Sequence, residues 1–270
     1  MKIVFLDMYN SNPGDIDTAM FKDFGEFITY DRTNPSDIKE RIKDAGIVIT
    51  NKVRLGKAEL EGTKVKFIAE AATGFDNIDL NALKELGIGL ANVPSYSTYS
   101  VVQLTLAHLL NVTNDVYSYA KNVRNGEWVD SRDFNFFLGT IHELAGKTAG
   151  IVGYGDIGQK VADAYRALGM KVIALKVAGH HADGDFFRDY EDFFKEADIV
   201  SLHAPMNADS KEIINKKSLA LMKNTAIIIN TARGGLINEA DLADALKNGK
   251  ALFYASDVAA PEPCLLYTSP

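Results

Sequence analysis

A glycine-rich turn between a strand-like and a helix-like segment constrains the fold of this chain more than any other feature. The stretch Gly153-Tyr154-Gly155-Asp156-Ile157-Gly158 follows an apolar run, Thr148 to Val152, and precedes a helical pattern, Gln159 to Leu168. In such a turn the first glycine makes the bend, the second lets the backbone approach a pyrophosphate, and the third packs the helix on the strand. A second strand-like run, Lys171 to Lys176, completes the expected context. The stretch therefore predicts a dinucleotide-binding turn, and a plain strand-to-helix turn is the alternative.

Composition and charge narrow the class of protein. The 270 residues are 47% hydrophobic and 24% charged, which is enough to build two domains with cores of their own. The net charge of -7, with no basic block, argues against a nucleic-acid partner. The first apolar run, Ile3 to Leu6, is too short for a signal segment, and no stretch approaches a membrane span. We therefore expect a cytoplasmic protein with neither nucleic acid nor membrane as a partner.

Cysteine and histidine usage bears on metals and disulfides. Cys264 is the single cysteine of the sequence, which excludes an internal disulfide framework and a thiolate metal cluster. The five histidines lack HExxH spacing. No metal site is predicted.

Short apolar runs and helical patterns alternate along the first third of the chain, as in an α/β fold. Asp79 and Gly87 are placed to begin and to end one of the helices. The predicted strands are Ile3–Leu6, Ile47–Thr50, Phe67–Ala69 and Ile88–Ala91, and the predicted helices are Asp37–Lys43 and Asp79–Leu86. We expect this region, residues 1–98, to bind substrate.

A long connecting helix is predicted from the apolar spacing between Val101 and Val123. A second series of alternating strands and helices follows, which predicts a doubly wound dinucleotide-binding domain over residues 99–263. Its predicted strands are Thr148–Val152, Lys171–Val177, Asp198–His203, Ala226–Asn230 and Leu252–Ser256. The connecting helix has more apolar positions than one packed face needs, so a homodimer through it is a hypothesis, with ordinary interdomain packing as the alternative.

Several motifs together resemble one family over nearly the whole chain. They are the opening from Met1 to Asp7 with Asn12-Pro13-Gly14-Asp15, the loop from Ala72 to Asp79, the run from Asn92 to Thr98, and Asn230-Thr231-Ala232-Arg233-Gly234-Gly235. The chain resembles the D-isomer-specific 2-hydroxyacid dehydrogenases, and most of all their glycerate dehydrogenase (hydroxypyruvate reductase) branch. The resemblance implies two doubly wound parallel-sheet domains, a flavodoxin-like substrate domain and a Rossmann domain. It also implies hydride transfer between NAD or NADP and a small D-2-hydroxy acid, first D-glycerate and hydroxypyruvate, with glyoxylate as a further candidate.

Reduction of a 2-keto acid requires a cation for the carboxylate and a proton donor of near-neutral pKa. Arg233 follows an apolar strand, so its guanidinium is expected at the sheet edge where substrates bind. By resemblance, Thr73 and Gly74 offer backbone N–H groups to the same carboxylate, Glu262 pairs with the catalytic histidine, and Asp257 lies near the nicotinamide. The alternatives are that Arg233 is a surface arginine, that Gly74 is only a turn glycine, that Glu262 is a solvated loop residue and that Asp257 is a structural cap.

The cofactor residues are predicted from the glycine turn and from the ends of the later strands. They are Gly153, Gly155, Asp156, Ile157, Gly158, Lys176, Ala204, Pro205, Thr231, Ala232, Arg233 and Asp257. Lys176 stands where an acid would bond the ribose 2′-hydroxyl of NAD, about 20 residues after the turn. A lysine cannot accept that bond but can pair with the 2′-phosphate of NADP, with help from His180 or His181. A solvated lysine with NAD still bound is the alternative.

The sequence departs from the family at the catalytic histidine, which the resemblance places in a Pro-His pair beyond Pro263. No such pair occurs in the 270 residues, and His108 and His203 are predicted to be structural or to face the cofactor. The tail, residues 264–270, is predicted to be non-native and the chain to be truncated, so we expect weak cofactor binding and slow or no turnover. The alternative functions are a dinucleotide-sensing regulatory protein and an inactive gene remnant.

Overall fold

The chain folds into two compact units. The structure, a computed structural model, describes residues 1–176, 184–250 and 253–260. It divides into Met1–Tyr96 and Ser97–Pro270. Within the described ranges, no helix is both long and apolar enough to cross a membrane. Residues 1–98 are predicted to bind substrate and residues 99–263 to bind cofactor, and both roles remain predictions. The tail at 264–270 lies outside the described residues.

The first unit contains a five-stranded parallel sheet. Its strands are β1 (Lys2–Phe5), β2 (Glu26–Thr29), β3 (Ile47–Thr50), β4 (Phe67–Glu70) and β5 (Gly89–Ala91). They lie in the order β2-β1-β3-β4-β5, and Val4 stands opposite Ile28 on one side and Val48 on the other. This order is that of flavodoxin-like folds, which confirms the predicted architecture.

Helices cover one face of that sheet. They are α1 (Ile38–Ile42), α2 (Lys57–Leu60) and α3 (Leu80–Leu86). The unit also has 3-10 turns at Met8–Asn10, Ala19–Phe24 and Pro35–Asp37, and Met8 and Phe21 pack in a separate apolar cluster with Ile3, Phe5 and Ile49. The Asp79 carboxylate accepts hydrogen bonds from the N–H groups of Asn81 and Ala82, and Gly87 ends α3 at a φ of 67°. The predicted start and stop signals of this helix are thus confirmed. Apolar side chains of the three helices pack with Val4, Val48 and Ile68 of the sheet in one buried core.

The second unit contains a six-stranded parallel sheet. Its strands are β6 (Thr148–Val152), β7 (Lys171–Leu175), β8 (Phe187–Arg188), β9 (Ile199–Leu202), β10 (Ile227–Asn230) and β11 (Phe253–Ser256). They lie in the order β11-β10-β9-β6-β7-β8. This is the strand order of the Rossmann fold, as predicted, and its topological switch point lies between β6 and β9.

Helices pack on both faces of the second sheet. They are α4 (Thr98–Asn114), α6 (Asp156–Ala167), α7 (Tyr190–Glu196), α8 (Lys216–Leu221) and α9 (Glu239–Lys247), with a 3-10 turn at Gly234–Leu236. A further helix, α5 (Val116–Arg124), follows α4 and has no buried residue. On one face, Leu109 of α4 and Tyr165 of α6 lie in one core with strand residues such as Ile151. On the other, Phe193 of α7 and Leu219 of α8 do the same. Both faces of the sheet are therefore buried, which agrees with its nearly continuous apolar strands.

The structure corrects three sequence-based expectations. The helix predicted as one piece from Val101 to Val123 begins at Thr98 and breaks at Asp115, which takes a left-handed conformation with a φ of 46°. The break follows Thr113, whose hydroxyl donates to the carbonyl of Leu109, and such local bonds weaken a helix. The helix after the glycine turn begins at Asp156, not Gln159. Strand β2 was not predicted, because a short edge strand has little apolar periodicity.

Candidate functional site

The glycine turn after β6 holds two backbone segments in contact. Gly153 has a φ of 92°, which side chains other than glycine rarely adopt, and a Cβ there would lie 2.5 Å from the amide nitrogen of Ala204. A Cβ on Gly158 would overlap the carbonyl oxygen of Gly153, so α6 also lies directly against the turn. The first and third glycines therefore serve close packing, as the motif predicts.

The second glycine borders open space. A Cβ on Gly155 would meet nothing within 4 Å. Gly155 is the N-cap of α6 and provides no side-chain cap, and the N–H groups of Gly155, Ile157 and Gly158 donate to none of the described residues. Free N–H groups and the positive end of a helix dipole favour a phosphate there. The turn thus fits the pyrophosphate of a dinucleotide.

The ends of β9 and β10 lie beside this turn in the sheet. Ala204 is half-buried and Pro205 is exposed after β9, and the N–H of His203 donates to the carbonyl of Val152 over 2.7 Å. After β10, the hydroxyl oxygens of Thr231 and Thr105 are 2.9 Å apart, which links the strand end to α4. The predicted cofactor residues of these two strands therefore border the switch point.

Arg233 lies in the turn after β10, and a buried asparagine braces that turn. The side chain of Asn230 accepts a hydrogen bond from the N–H of Ala232 over 3.1 Å and donates to the carbonyl of Arg233 over 3.0 Å. Nη1 of Arg233 donates to the carbonyl of Ala232 over 2.8 Å. Asn230 was not among the predicted site residues, although a polar residue that ends an apolar strand is a signal for it.

The segment after β11 packs on the same turn. A Cβ on Gly234 would overlap the backbone of Ala259, so glycine is required for this contact. Asp257 lies at the end of β11 and is exposed. Glu262 lies outside the described residues. The predicted site residues Arg233 and Asp257 therefore follow adjacent strands of one sheet, β10 and β11.

Lys176 follows β7 at the other side of the glycine turn. Its Nζ lies 3.3 Å from a carboxylate oxygen of Asp189, which follows β8, and both side chains are largely exposed. The carboxylate of Asp189 thus lies next to the ammonium group of Lys176 at the ends of β8 and β7. His180 and His181 lie outside the described residues.

Two histidines of the second unit have a buried ring nitrogen without a hydrogen-bond partner among the described residues, Nε2 of His108 and Nδ1 of His203. Burial lowers the pKa of His203 to about 3, so its ring is neutral at physiological pH. In the described part of the chain, no group of three or more His, Cys, Asp and Glu side chains is placed to hold a metal ion.

Thr73 and Gly74 lie in the first unit, in the loop after β4. The hydroxyl of Thr73 donates to the carbonyl of Val93 over 2.9 Å, and the side chain of Asn92 donates to the carbonyl of Thr73 over 2.8 Å. The N–H groups of Thr73 and Gly74 donate to no residue that the structure describes. The loop is fixed through its other polar groups and leaves two adjacent donors available.

A buried carboxylate anchors the other end of that loop. Glu70 ends β4, and one of its oxygens accepts a hydrogen bond from the side chain of Asn77 over 3.1 Å, while the other has no partner within the described ranges. Burial raises the pKa of Glu70 to about 7, against the hydrogen bond from Asn77 and with a smaller contribution from the nearby Asp7 carboxylate. Sequence reasoning missed Glu70, because a lone acid at a strand end gives no sign of its burial.

Comparisons with known proteins agree with this geometry. The family described as D-isomer specific 2-hydroxyacid dehydrogenase, NAD binding domain, matches residues 106–266, more than half of the chain. This chain belongs to that family. The dehydrogenases of the family are NAD-dependent oxidoreductases, so the second unit is an NAD-binding domain and the predicted fold, enzyme class and cofactor class are confirmed.

Individual relatives align with most of the length of this dehydrogenase. The hydroxypyruvate reductase of Blautia hydrogenotrophica is 40% identical over 97% of this chain and 84% of its own length. The glycerate dehydrogenase of Methylorubrum extorquens is 38% identical over 97% of this chain and 82% of its own length. Among solved structures, an acyclic imino acid reductase in complex with NADPH and D-arginine superimposes with a TM-score of 0.85 at 31% identity, covering 98% of this chain and 85% of that one.

The open space at Gly155 leads to a prediction about the NADH affinity of the dehydrogenase. Gly155→Ala should leave the melting temperature of the cofactor-free protein unchanged, because the added methyl meets no protein atom and the backbone is extended. It should weaken NADH binding roughly tenfold or more, since the methyl enters the space proposed for the pyrophosphate. Calorimetric titration with NADH measures this. Gly139→Ala adds a methyl to open space elsewhere and is the control; equal NADH affinity in both variants would contradict the assignment.

The raised pKa of Glu70 generates a second prediction. The folded state holds its proton more tightly than the unfolded chain, so stability falls as pH rises from about 4.5 to about 7 and then levels off. Glu70→Gln removes this fall and should be more stable than the native chain at pH 8 by up to about 3 kcal/mol, with little difference at pH 5. Urea unfolding at the two pH values measures it. The exposed Glu61→Gln is the control, and an identical pH dependence in Glu70→Gln and the native chain would refute the prediction.

Proposed function

We propose that this dehydrogenase interconverts hydroxypyruvate and D-glycerate with NAD or NADP, with glyoxylate as a further substrate. The similarity of nearly the whole chain to a hydroxypyruvate reductase and a glycerate dehydrogenase carries the proposal. The cofactor choice is supported by the NAD-binding family and by the bound NADPH of the acyclic imino acid reductase.

In this proposal, Arg233 binds the substrate carboxylate through two parallel hydrogen bonds and orients the keto group. Asn230 keeps the arginine turn in place through its bonds to Ala232 and Arg233. In the first unit, Thr73 and Gly74 are proposed as further substrate-binding residues, because their N–H groups donate to no residue that the structure describes. The nicotinamide supplies the hydride when it is bound.

The remaining predicted residues serve the cofactor and the proton. The strand-end residues Ala204, Pro205, Thr231, Ala232 and Asp257 are proposed to border the nicotinamide half of the dinucleotide, and Gly153, Gly155, Asp156, Ile157 and Gly158 the pyrophosphate. The Glu262 carboxylate is proposed to pair with a histidine and to raise its pKa toward neutrality. The 270 residues contain no Pro-His pair. The proposed function is therefore tested by the binding of cofactor and substrate and not by turnover.

The carboxylate role of Arg233 is tested in a complex that cannot react. NAD in its oxidised form and hydroxypyruvate hold no transferable hydride, so hydroxypyruvate can be titrated into the NAD-saturated chain. Arg233→Ala should weaken its binding about 100-fold, since two charge-assisted bonds are lost, and Arg233→Lys should weaken it less. Calorimetry gives both affinities.

Arg166→Ala is the matched control, because it removes an exposed arginine of α6 that pairs with Asp163. It should bind hydroxypyruvate like the native chain. Native affinity in Arg233→Ala would contradict the role of Arg233. Tighter binding of pyruvate or an aromatic keto acid than of hydroxypyruvate or glyoxylate would contradict the proposed substrate.

Substitutions of Lys176 and of Asp189 should change the affinity for NADPH in opposite directions. If Lys176 faces the 2′-phosphate, Lys176→Ala should weaken NADPH binding about 3- to 10-fold and leave NADH binding nearly unchanged. Asp189→Asn frees the lysine from its ion pair and should strengthen NADPH binding. Titration of both variants with both cofactors measures this, and an unchanged NADPH affinity in Lys176→Ala would remove the phosphate role.

A homodimer of this cytoplasmic enzyme is part of the proposal. The segment from α4 onward exposes many large apolar side chains, namely Tyr99, Val116, Tyr117, Trp128, Val129, Phe134, Phe137 and Ile141. Such surfaces are uncommon on monomers. Light scattering should give a dimer mass, and the double variant Val129→Ser/Phe134→Ser should give a monomer. Ile16→Ser, an exposed apolar residue of the first unit, is the control; a monomeric native chain would refute the dimer.

A further inference from the structure

Two buried acids at the carboxyl edge of the first sheet differ in their hydrogen-bond partners. Asp7 follows β1 and is 2% exposed, and its carboxylate accepts hydrogen bonds from the N–H groups of Asn51 and Lys52 over 2.9 and 2.6 Å. Glu70 ends β4 and is 1% exposed. Among the described residues it accepts from the side chain of Asn77, and its Oε1 has no partner. Glu70 therefore lacks the donors that a buried carboxylate needs to hold a charge.

The charged groups that face Glu70 come from three loops. Burial is the largest cause of its raised pKa, the carboxylates of Asp7 after β1 and of Asp76 in its own loop add to it, and the ammonium of Lys52 after β3 opposes it. The other neighbour of β4 is β5, which carries no charged residue. Loss of the Glu70 proton therefore places a buried negative charge near Asp7, with one described donor to stabilise it.

Glu70 and Asn77 lie at the two ends of the loop that carries Thr73 and Gly74. The side-chain nitrogen of Asn77 donates to a carboxyl oxygen of Glu70 and to the carbonyl of Val53, each over 3.1 Å. Asn77 thus ties the end of the loop to its beginning and to the segment after β3. A change in the charge of Glu70 acts on this tie, and through it on the position of the loop.

An anion bound at this loop and an ionised Glu70 repel each other. Thr73 follows Glu70 by three residues, a distance of at most about 11 Å even for extended chain. Like charges this close interact in a partly buried site, where salt screens them little. The carboxylate of a 2-keto acid is negative at neutral pH. By linkage, a bound anion makes Glu70 harder to ionise, and an ionised Glu70 weakens anion binding to the same extent.

We propose that Glu70 is a positioning residue that couples substrate binding to the uptake of one proton. While Glu70 is neutral, the loop from Ala71 to Asn77 binds the carboxylate of the 2-keto acid, and ionisation of Glu70 releases it. Glu70 does not contact the substrate and acts through Asn77 and through its charge. The proton comes from solvent. The inference rests on the proposed function, because it takes Thr73 and Gly74 as substrate-binding residues.

The experiment titrates hydroxypyruvate into the NAD-saturated chain at pH 6 and at pH 8. Calorimetry in two buffers of different ionisation enthalpy gives both the affinity and the number of protons that bind with the substrate. For the native chain we expect about tenfold weaker binding at pH 8 than at pH 6, because only the neutral fraction of Glu70 is competent. At pH 8 we also expect the uptake of about one proton per substrate.

Two substitutions of Glu70 separate proton coupling from a structural role. Glu70→Gln keeps a carbonyl acceptor for Asn77 and cannot ionise, so it should bind hydroxypyruvate equally well at both pH values and take up no proton. Glu70→Ala loses the acceptor and should bind more weakly at both pH values, again without proton uptake. Glu61→Gln removes an exposed acid of the same unit and should behave like the native chain. NADH affinity should be native in all three variants.

Three results would overturn the inference. If the native chain bound hydroxypyruvate with one affinity at both pH values, or without proton uptake at pH 8, Glu70 would have a structural role only and the proposed function would stand. If Glu70→Gln kept the pH dependence of the native chain, another group would bind the proton. If the native chain bound NAD but not hydroxypyruvate at either pH, the proposed substrate and the inference would fail together.

Discussion

The contact between the Gly153 turn and the backbone of His203 and Ala204 is the constraint on which the NAD-binding unit depends. It joins the carboxyl ends of β6 and β9 at the point where the strand order reverses. Because no side chain separates the two segments, the following helix can begin directly at the turn, where the N–H groups of Gly155, Ile157 and Gly158 donate to none of the described residues. The turn proposed to bind the pyrophosphate is therefore shaped by backbone contacts rather than by side chains.

Polar side chains then fix the two loops that are proposed to bind the substrate. In the second unit, Asn230 bonds both sides of the Arg233 turn from a fully buried position. In the first unit, the side chain of Asn92 donates to the carbonyl of Thr73, and the N–H groups of Thr73 and Gly74 donate to none of the described residues. Each unit thus presents donors after the carboxyl end of a strand, which is where α/β sheets bind ligands.

The sequence was sufficient to predict the parts of the molecule that follow local rules. The glycine turn, the cap at Asp79 and the order of strands and helices depend on residue type and spacing, and the structure agrees with them. The break at Asp115 was not predicted, because it results from competition between helix bonds and local side-chain bonds. The burial of Glu70 and of the ring nitrogen of His203 that has no partner among the described residues could not be predicted from the sequence, since both arise from packing between distant segments.

We propose that this dehydrogenase holds a nicotinamide dinucleotide at the Gly153 turn and a 2-keto acid at Arg233. A crystal structure of the chain with oxidised NAD and hydroxypyruvate tests it most directly. We predict the pyrophosphate at the N–H groups of Gly155 and Ile157, and the hydroxypyruvate carboxylate on the guanidinium of Arg233. A dinucleotide bound away from the β6–β9 switch point, or a carboxylate that does not contact Arg233, would contradict the account.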